Sequence, residues 1–473
     1  MVPDSELALR ARSAAAVQVL MTWAAAYSHE TVPGSVRARA ALVLADDLGA
    51  MVAAAGEPPV ARMRAVLARS SGRPEATVFA PGSSPLDRAS AAAANGLAAT
   101  WCELDEGYRG APCHAGAYIL PALLAEAEAE GASVARVLAA LALAYEITVR
   151  CARAFPFATM TVHPHAAFAT IGAAAGIGIL RGFSGKLLLD AVSAAASMTF
   201  AGPYGHAIEG ALVRNAWTSA GAWIGLRAAD GAEAGIAGLP ETFHDVFVGS
   251  LGTDCVPEAL DAGLGTDWAI DGGYHKVFAC CQYAHGAIEA SLSLREQIAG
   301  RGGAVDPTPE IDEILVETHP RGLTLTTVEP ATVLAAKFSM PHALAAAAIT
   351  GTGGQGAFDE ATLHEPRIAS LRRRVRLAPL PEIGPPPNDR PSRVTWRLRD
   401  GTALSALCES ARGGADQPFD TDTMLAKLAE TSRAYPRMAA VLEWIVRGAE
   451  GDERDLQRPW RDCVTEMTGG VGR

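Results

Sequence analysis

Apolar residues recur three and four positions apart over most of the first 230 residues, and every second position in a shorter stretch after 310. The first spacing predicts helices and the second predicts strands. Helical spacing runs from residue 7 to about 69, carried by Ala15, Val17, Val19 and Leu20 and then by Ala41, Leu42, Leu44 and Leu48. Pro33-Gly34-Ser35 breaks this run, and Ser35 is placed to cap its second helix. Further helices are predicted at 86–101, at 116–130, from Ser133 to about 154, at 166–181, at 186–200 and at roughly 210–230. A polar loop at 103–110 and the break Gly182-Phe183-Ser184-Gly185 separate them. The texture changes after about Asp254. Ile311, Ile314, Val316 and Thr318, then Leu323, Leu325 and Thr327, alternate with a period near two and read as strands. Residues 394–399 and 402–405 flank Asp400-Gly401, a hairpin signal. Residues 341–350 read as a helix and 379–391 as a proline-rich loop. The chain closes with a helix capped by Asp422 and running to about Ser432, then another at 437–448. The expected fold is mainly α: a large all-helical domain over 1–270, an inserted α+β lid over 271–408, and helices over 409–473 that return to the helical domain.

Composition supports this division. A chain of 473 residues exceeds one ordinary core. Hydrophobic residues make up 49% but aromatics only 6%, which favours closely packed small-residue helices over a β-sandwich. A net charge of −12 argues against nucleic acid or an anionic membrane as partner. A pocket can still be locally basic, and Arg214, Lys276 and Lys337 lie in otherwise uncharged surroundings. Eight irregularly spaced cysteines do not form a disulfide framework, and adjacent Cys280-Cys281 suits neither a disulfide nor a zinc pair. A reducing cytoplasm is the expected location. The first residues carry acids and no basic-then-apolar leader, so no signal peptide is expected. The apolar runs at 134–149 and 166–180 are rich in alanine and glycine and read as core helices.

Candidate chemistry gathers at three places. Residues 274–287 hold His275, Lys276, Tyr283 and His285; Cys113-His114 precedes a small-residue helix; His163-Pro164-His165 precedes another. A cation beside acid–base groups suits carboxylate-bearing substrates. Each residue also has an ordinary reading. A histidine next to proline at a helix start is commonly a cap, a loop lysine is commonly solvated, and Asp105 caps or solvates its loop. His165 reads as structural. Cys113 and His114, as chain neighbours, are poorly placed to act on each other. Gly172, Gly176 and Gly178 fall inside a helix and follow no strand, so no phosphate loop is expected. The histidines lack ligand spacing and the cysteines do not group, so neither a metal nor an iron–sulfur centre is expected.

Several motifs in order resemble the MmgE/PrpD family. They are Ala45-Asp46-Asp47, the acidic loop at 103–107, His114, HPHAAFATIGAAAG at 163–176, KVFACCQYAHGAIEA at 276–290 and AAKFSMPHALAAA at 335–347. The resemblance implies a cofactor-free enzyme, usually a homodimer, with its active site between a helical domain and a smaller lid. It implies chemistry next to a carboxylate of a small polycarboxylate, with His114, His163, Lys276 and Asp105 as catalytic candidates. Arg214, Glu103, Tyr283 and His285 are the substrate-binding candidates, with Glu106 beside the acidic loop. Dehydration, decarboxylation and epimerisation of an amino- or imino-dicarboxylate all begin at such a carbon, and a non-catalytic carboxylate-binding member keeps the same cleft. Two departures stand out. Leu212-Val213-Arg214-Asn215 occupies the place of a Met-x-Lys-Arg stretch, so the charge remains but not a titratable amine. Glu103-Leu104-Asp105-Glu106 replaces a more aspartate-rich loop.

Overall fold

The computed structural model describes residues 4–300, 310–451 and 456–469. Nine helices of eight or more residues build the first half: α1 Asp4–Ala25, α2 Gly34–Ala53, α3 Pro58–Ser70, α4 Arg88–Ala99, α5 Ala115–Glu130, α6 Val134–Ala154, α7 Pro164–Leu180, α8 Gly185–Ser197 and α9 Val213–Glu233. At the centre is α7, whose residues are buried on all sides apart from Ile179, with α5, α6, α8 and α9 packed around it. A helix apolar all round belongs in a core when its neighbours are this close. Among the described residues no helix is long and apolar enough to cross a membrane.

Small residues set the packing distance. A Cβ added at Gly221 would lie 2.5 Å from Ala169 Cβ, and one at Gly225 would lie 2.4 Å from Ala173 Cβ and 2.7 Å from the Ala174 amide nitrogen. The α7–α9 contact is therefore backbone against backbone. Gly225→Ala is predicted to destabilise the protein by about 1–3 kcal/mol through overpacking. A thermal midpoint equal to wild type would show that the two helices are not in contact there.

Helix ends follow local chemistry. Ser133 caps α6 and Ser184 caps α8 through their hydroxyls, and Gly131, with φ 67°, ends α5 in the left-handed region. Ser35 is not a cap: α2 starts after Pro33, whose fixed φ already ends the preceding turn, and Ser35 lies within the helix.

The second half carries β3 Ile311–Thr318, β4 Val375–Pro379, β5 Ser392–Leu398 and β6 Ala403–Cys408, in sheet order β4-β3-β5-β6. β1 Gly107–Tyr108 and β2 Gly273–Tyr274 form a separate short ladder. β5 and β6 are the expected hairpin, turning through Gly401 at φ 89°. In β5, Val394 and Trp396 face inward while Thr395 and Arg397 face out, so one sheet face is solvated. α10 His285–Gly300 covers the other face, backed by α11 Met340–Thr350. The alternation at 323–327 does not continue the strand. Residues Gly322–Thr324 form a 3-10 turn, and Leu325 is buried while its amide bonds back to Gly322. β4, parallel to β3, escaped the sequence reading because it is five residues long and ends in proline.

Three closing helices, α12 Thr421–Thr431, α13 Met438–Glu450 and α14 Trp460–Thr468, lie back on the first half: α12 and α13 on α2, α14 on α5. Asp420 caps α12, two residues before the cap expected at Asp422; its carboxylate accepts from the Thr423 amide.

Candidate active site

Helix starts converge on one cleft between the helical body and the sheet-bearing cap. His114 is the N-cap of α5, His163 the N-cap of α7, and Arg214 lies in the first turn of α9. From the cap, Gln282 and Tyr283 directly precede α10, and Phe338 precedes the Ser339 cap of α11. All six line the cleft, together with Glu103, Tyr204, Tyr274 and Arg390. Helix N-termini are the positive ends of the helix dipoles, so their convergence favours an anion. The free space is about 50 Å³, room for only a few waters. That space is smaller than a polycarboxylate, which would be admitted only with side chains or the cap moved outward into a more open arrangement.

The β1–β2 ladder pairs Gly107 with Tyr274 and brings Lys276 under the acidic loop. Glu103 in that loop has φ 54°, a left-handed conformation that costs a non-glycine residue about 1–3 kcal/mol. Its carboxylate lies 2.5 Å from Arg214 Nη2 and 3.8 Å from Lys276 Nζ. Asp105 Oδ1 accepts from Lys276 Nζ at 3.3 Å. Burial opposes ionisation of Asp105, but Lys276, His114 and Arg214 outweigh it and hold the carboxyl below the usual range. Burial likewise opposes the charge on Lys276, and Asp105 and Glu103 overcome it. These two acids and two cations balance.

His114 Nδ1 lies 2.8 Å from Asp105 Oδ2 and 2.8 Å from the Glu106 carbonyl oxygen. The Glu106 carbonyl as acceptor, with the Asp105 carboxylate beside it, places the ring proton on Nδ1 and leaves Nε2 as the basic position. His163 is held differently. Its Nδ1 accepts from the His165 amide at 3.2 Å, and Arg214 Nε lies 3.4 Å from its Nε2. Burial, then Arg214 and His114, push its pKa well below the ordinary value. His165 Nδ1 bonds the Tyr118 hydroxyl at 2.8 Å, and its ring packs between those of His114 and His163.

Beneath the loop lies a second buried network. Asp46 pairs with His275 Nδ1 at 2.7 Å and with Lys427 of α12, whose Nζ also donates to the Leu104 carbonyl. Asp47 Oδ1 accepts the Glu106 amide at 2.8 Å, while the Glu106 carboxylate accepts the Gly116 amide at 2.6 Å and the Tyr145 hydroxyl at 3.0 Å. Burial raises the Glu106 pKa to about 8, so both carboxyls resist ionisation; Glu106, with two donors, is the first to ionise and Asp47 keeps its proton longer. Burial raises the Asp47 pKa, and the charges of Glu106, Asp46 and Asp105 raise it further. Stability from the protonated Asp47 is full below the ordinary carboxylate pKa of about 3.9 and is lost as pH rises through the raised value. Asp47→Asn removes that loss, so its thermal midpoint should gain on wild type progressively from pH 4 to 9. Parallel curves would show that Asp47 does not carry the proton.

The sequence-selected residues divide into three positions. His114, His163, Arg214, Glu103 and Tyr283 line the cleft. Asp105 and Lys276 stand directly behind the lining, fully buried, so Lys276 clamps two protein carboxylates. His285 stays apart: its Nε2 bonds the Cys280 carbonyl at 3.2 Å and its ring packs on Phe278. Lys337 is spent on the Trp101 carbonyl at 2.9 Å. Sequence reasoning passed over Tyr204, Tyr274, Gln282 and Arg390 as site residues. For Arg390 the only signal was a charged pair, Asp389-Arg390, inside a loop read as proline-rich spacer. All eight cysteines are free thiols, with Cys113 and Cys281 at the cleft wall. Among the described residues no group of three His, Cys, Asp or Glu side chains is arranged to hold a metal ion.

A helical body and a smaller α+β cap with an imidazole–guanidinium cleft between them make a mainly helical two-domain protein. The chain belongs to the MmgE/PrpD family: the family's N-terminal domain matches residues 18–251 and its C-terminal domain residues 278–446. That family generally contains hydro-lyases, 2-methylcitrate dehydratase among them. No curated protein matches the chain by sequence.

Proposed function

We propose that the protein is a cofactor-independent lyase acting next to a carboxylate of a small di- or tricarboxylate, a dehydratase first and a decarboxylase second. The observation that carries this is the Asp105–His114 pair at a cleft wall where three body helices begin. In dehydration, His114 Nε2 takes the proton from the carbon next to the carboxylate. The electron pair moves into that carboxylate, where Arg214 and the positive ends of the helices stabilise the developing charge. It returns to form the double bond as the β-hydroxyl leaves with a proton, giving water. Tyr274, whose pKa burial raises, stays protonated and is the donor of that proton. A two-base epimerase needs a second exchangeable base. His163 fits that role poorly, because an amide occupies its Nδ1 and its surroundings disfavour the imidazolium. Homodimerisation remains part of this proposal through family kinship.

NMR in deuterated water with citrate, 2-methylcitrate, cis-aconitate and iminodisuccinate tests the reading. Loss of a hydroxyl with formation of an alkene, or loss of carbon dioxide, is the expected outcome. Deuterium exchange with stereochemical inversion and neither loss would replace lyase with epimerase.

A further inference from the structure

Arg390 enters the cleft from the cap and is only 9% exposed. Its Nη1 donates to Gln282 Oε1 at 2.7 Å and its Nη2 to the Arg109 carbonyl at 2.9 Å, while the Tyr283 ring lies 5.4 Å from its Cζ. These neutral partners fix the guanidinium on two edges and one face. Its Nε is buried without a hydrogen-bond partner. The nearest carboxylate, Asp389, has Oδ2 at 3.5 Å from Nε without bonding it, and its Oδ1 accepts from Arg109 at 3.2 and 2.7 Å. Two guanidinium groups thus share one carboxylate. Arg321 approaches the far side of Tyr283, its Nη1 3.4 Å from the phenol oxygen, and adds positive charge. His319, stacked edge-on against Tyr283, adds none: burial lowers its pKa to about 4. On the body side Arg214 and Lys276 are balanced by Glu103 and Asp105. The surplus positive charge of the cleft therefore lies on its cap wall.

We propose that Arg390 is the binding point for a second substrate carboxylate, remote from the one beside the carbon worked on by His114, with Gln282 and Tyr283 orienting the guanidinium. This rests on the cleft being a carboxylate site, and it deepens that reading by making a second carboxylate a condition of tight binding. A planar guanidinium with an unbonded N–H suits a carboxylate better than a point charge would. A dicarboxylate then bridges body and cap and favours the closed arrangement, whereas a monocarboxylate leaves the cap wall uncompensated.

Calorimetry on the full chain with succinate, citrate and butyrate is the test. Wild type should bind succinate or citrate at least roughly 10-fold more tightly than butyrate, the scale of one charge-assisted contact. Arg390→Gln should bring that ratio close to one and leave butyrate affinity unchanged. Arg390→Lys and Gln282→Ala, each keeping a charge at the wall, should retain a preference reduced by about 3-fold or more, since the fork or its support is lost. If folded Arg390→Gln keeps the full wild-type preference, the assignment is overturned; should that variant not fold, an undiminished preference in both other variants overturns it. Wild type binding no polycarboxylate at all would instead sink the carboxylate reading of the whole cleft.

Discussion

Replacing His114 with glutamine is expected to lower kcat by roughly 10²–10⁴-fold, the range of a lost general base, with little change in KM. The imidazole is the cleft-lining ring whose tautomer the fold sets, through Asp105 Oδ2 and the Glu106 carbonyl, each 2.8 Å from Nδ1. Glutamine keeps a polar side chain there but carries no basic nitrogen. Asp105→Asn should lose activity by a related route. An amide at that position can offer an N–H toward Nδ1, which moves the ring proton to Nε2 and removes the base while the imidazole stays. Steady-state kinetics on the substrate found by NMR, beside thermal melting of each variant, give the comparison. Wild-type turnover in folded His114→Gln would remove the central group of the mechanism.

The second large effect is expected on stability. Arg214→Met should cost about 3–5 kcal/mol, because it leaves the Glu103 carboxylate buried without its nearest cation. Glu103 is 2% exposed, sits 2.5 Å from Arg214 Nη2, and occupies a strained backbone conformation that this ion pair helps hold. Lys276, at 3.8 Å, is too distant and too committed to Asp105 to replace it. Adding Glu103→Gln to Arg214→Met removes the orphaned charge and should recover much of the loss. It should not restore kcat/KM, since the cation facing the reacting carboxylate is still missing. Denaturant unfolding of both single variants and the double variant measures the coupling. Additive costs, with no recovery in the double variant, would mean that Glu103 and Arg214 do not act as a pair.

Much of the site could be read along the chain because its chemistry stands at helix starts. His114 and His163 announce themselves by preceding small-residue helices, and both prove to be N-caps. Their functions still diverge: one ring presents a basic nitrogen, while the other spends a nitrogen on its own helix. Lys276 lay in the most suggestive segment, yet faces two protein carboxylates, and His285 nine residues later turns to a backbone carbonyl. Arg390 lay in a stretch with no periodicity at all.

What the sequence by itself determined is the local layer: mainly helical architecture from three- and four-residue spacing, the β5–β6 hairpin from Asp400-Gly401, most helix boundaries, and the family. The structural features depend on neighbours within a turn or two and the family on the order of motifs along the chain, and the linear sequence records both directly. Only the tertiary structure decided which charges cancel and which stay available. Asp46 meets Lys427 across 381 positions, Arg214 is neutralised by Glu103, and Arg390 shares Asp389 with Arg109. Ionisation and binding depend on burial and on distances of a few ångströms, and folding sets both by joining segments that linear order keeps apart.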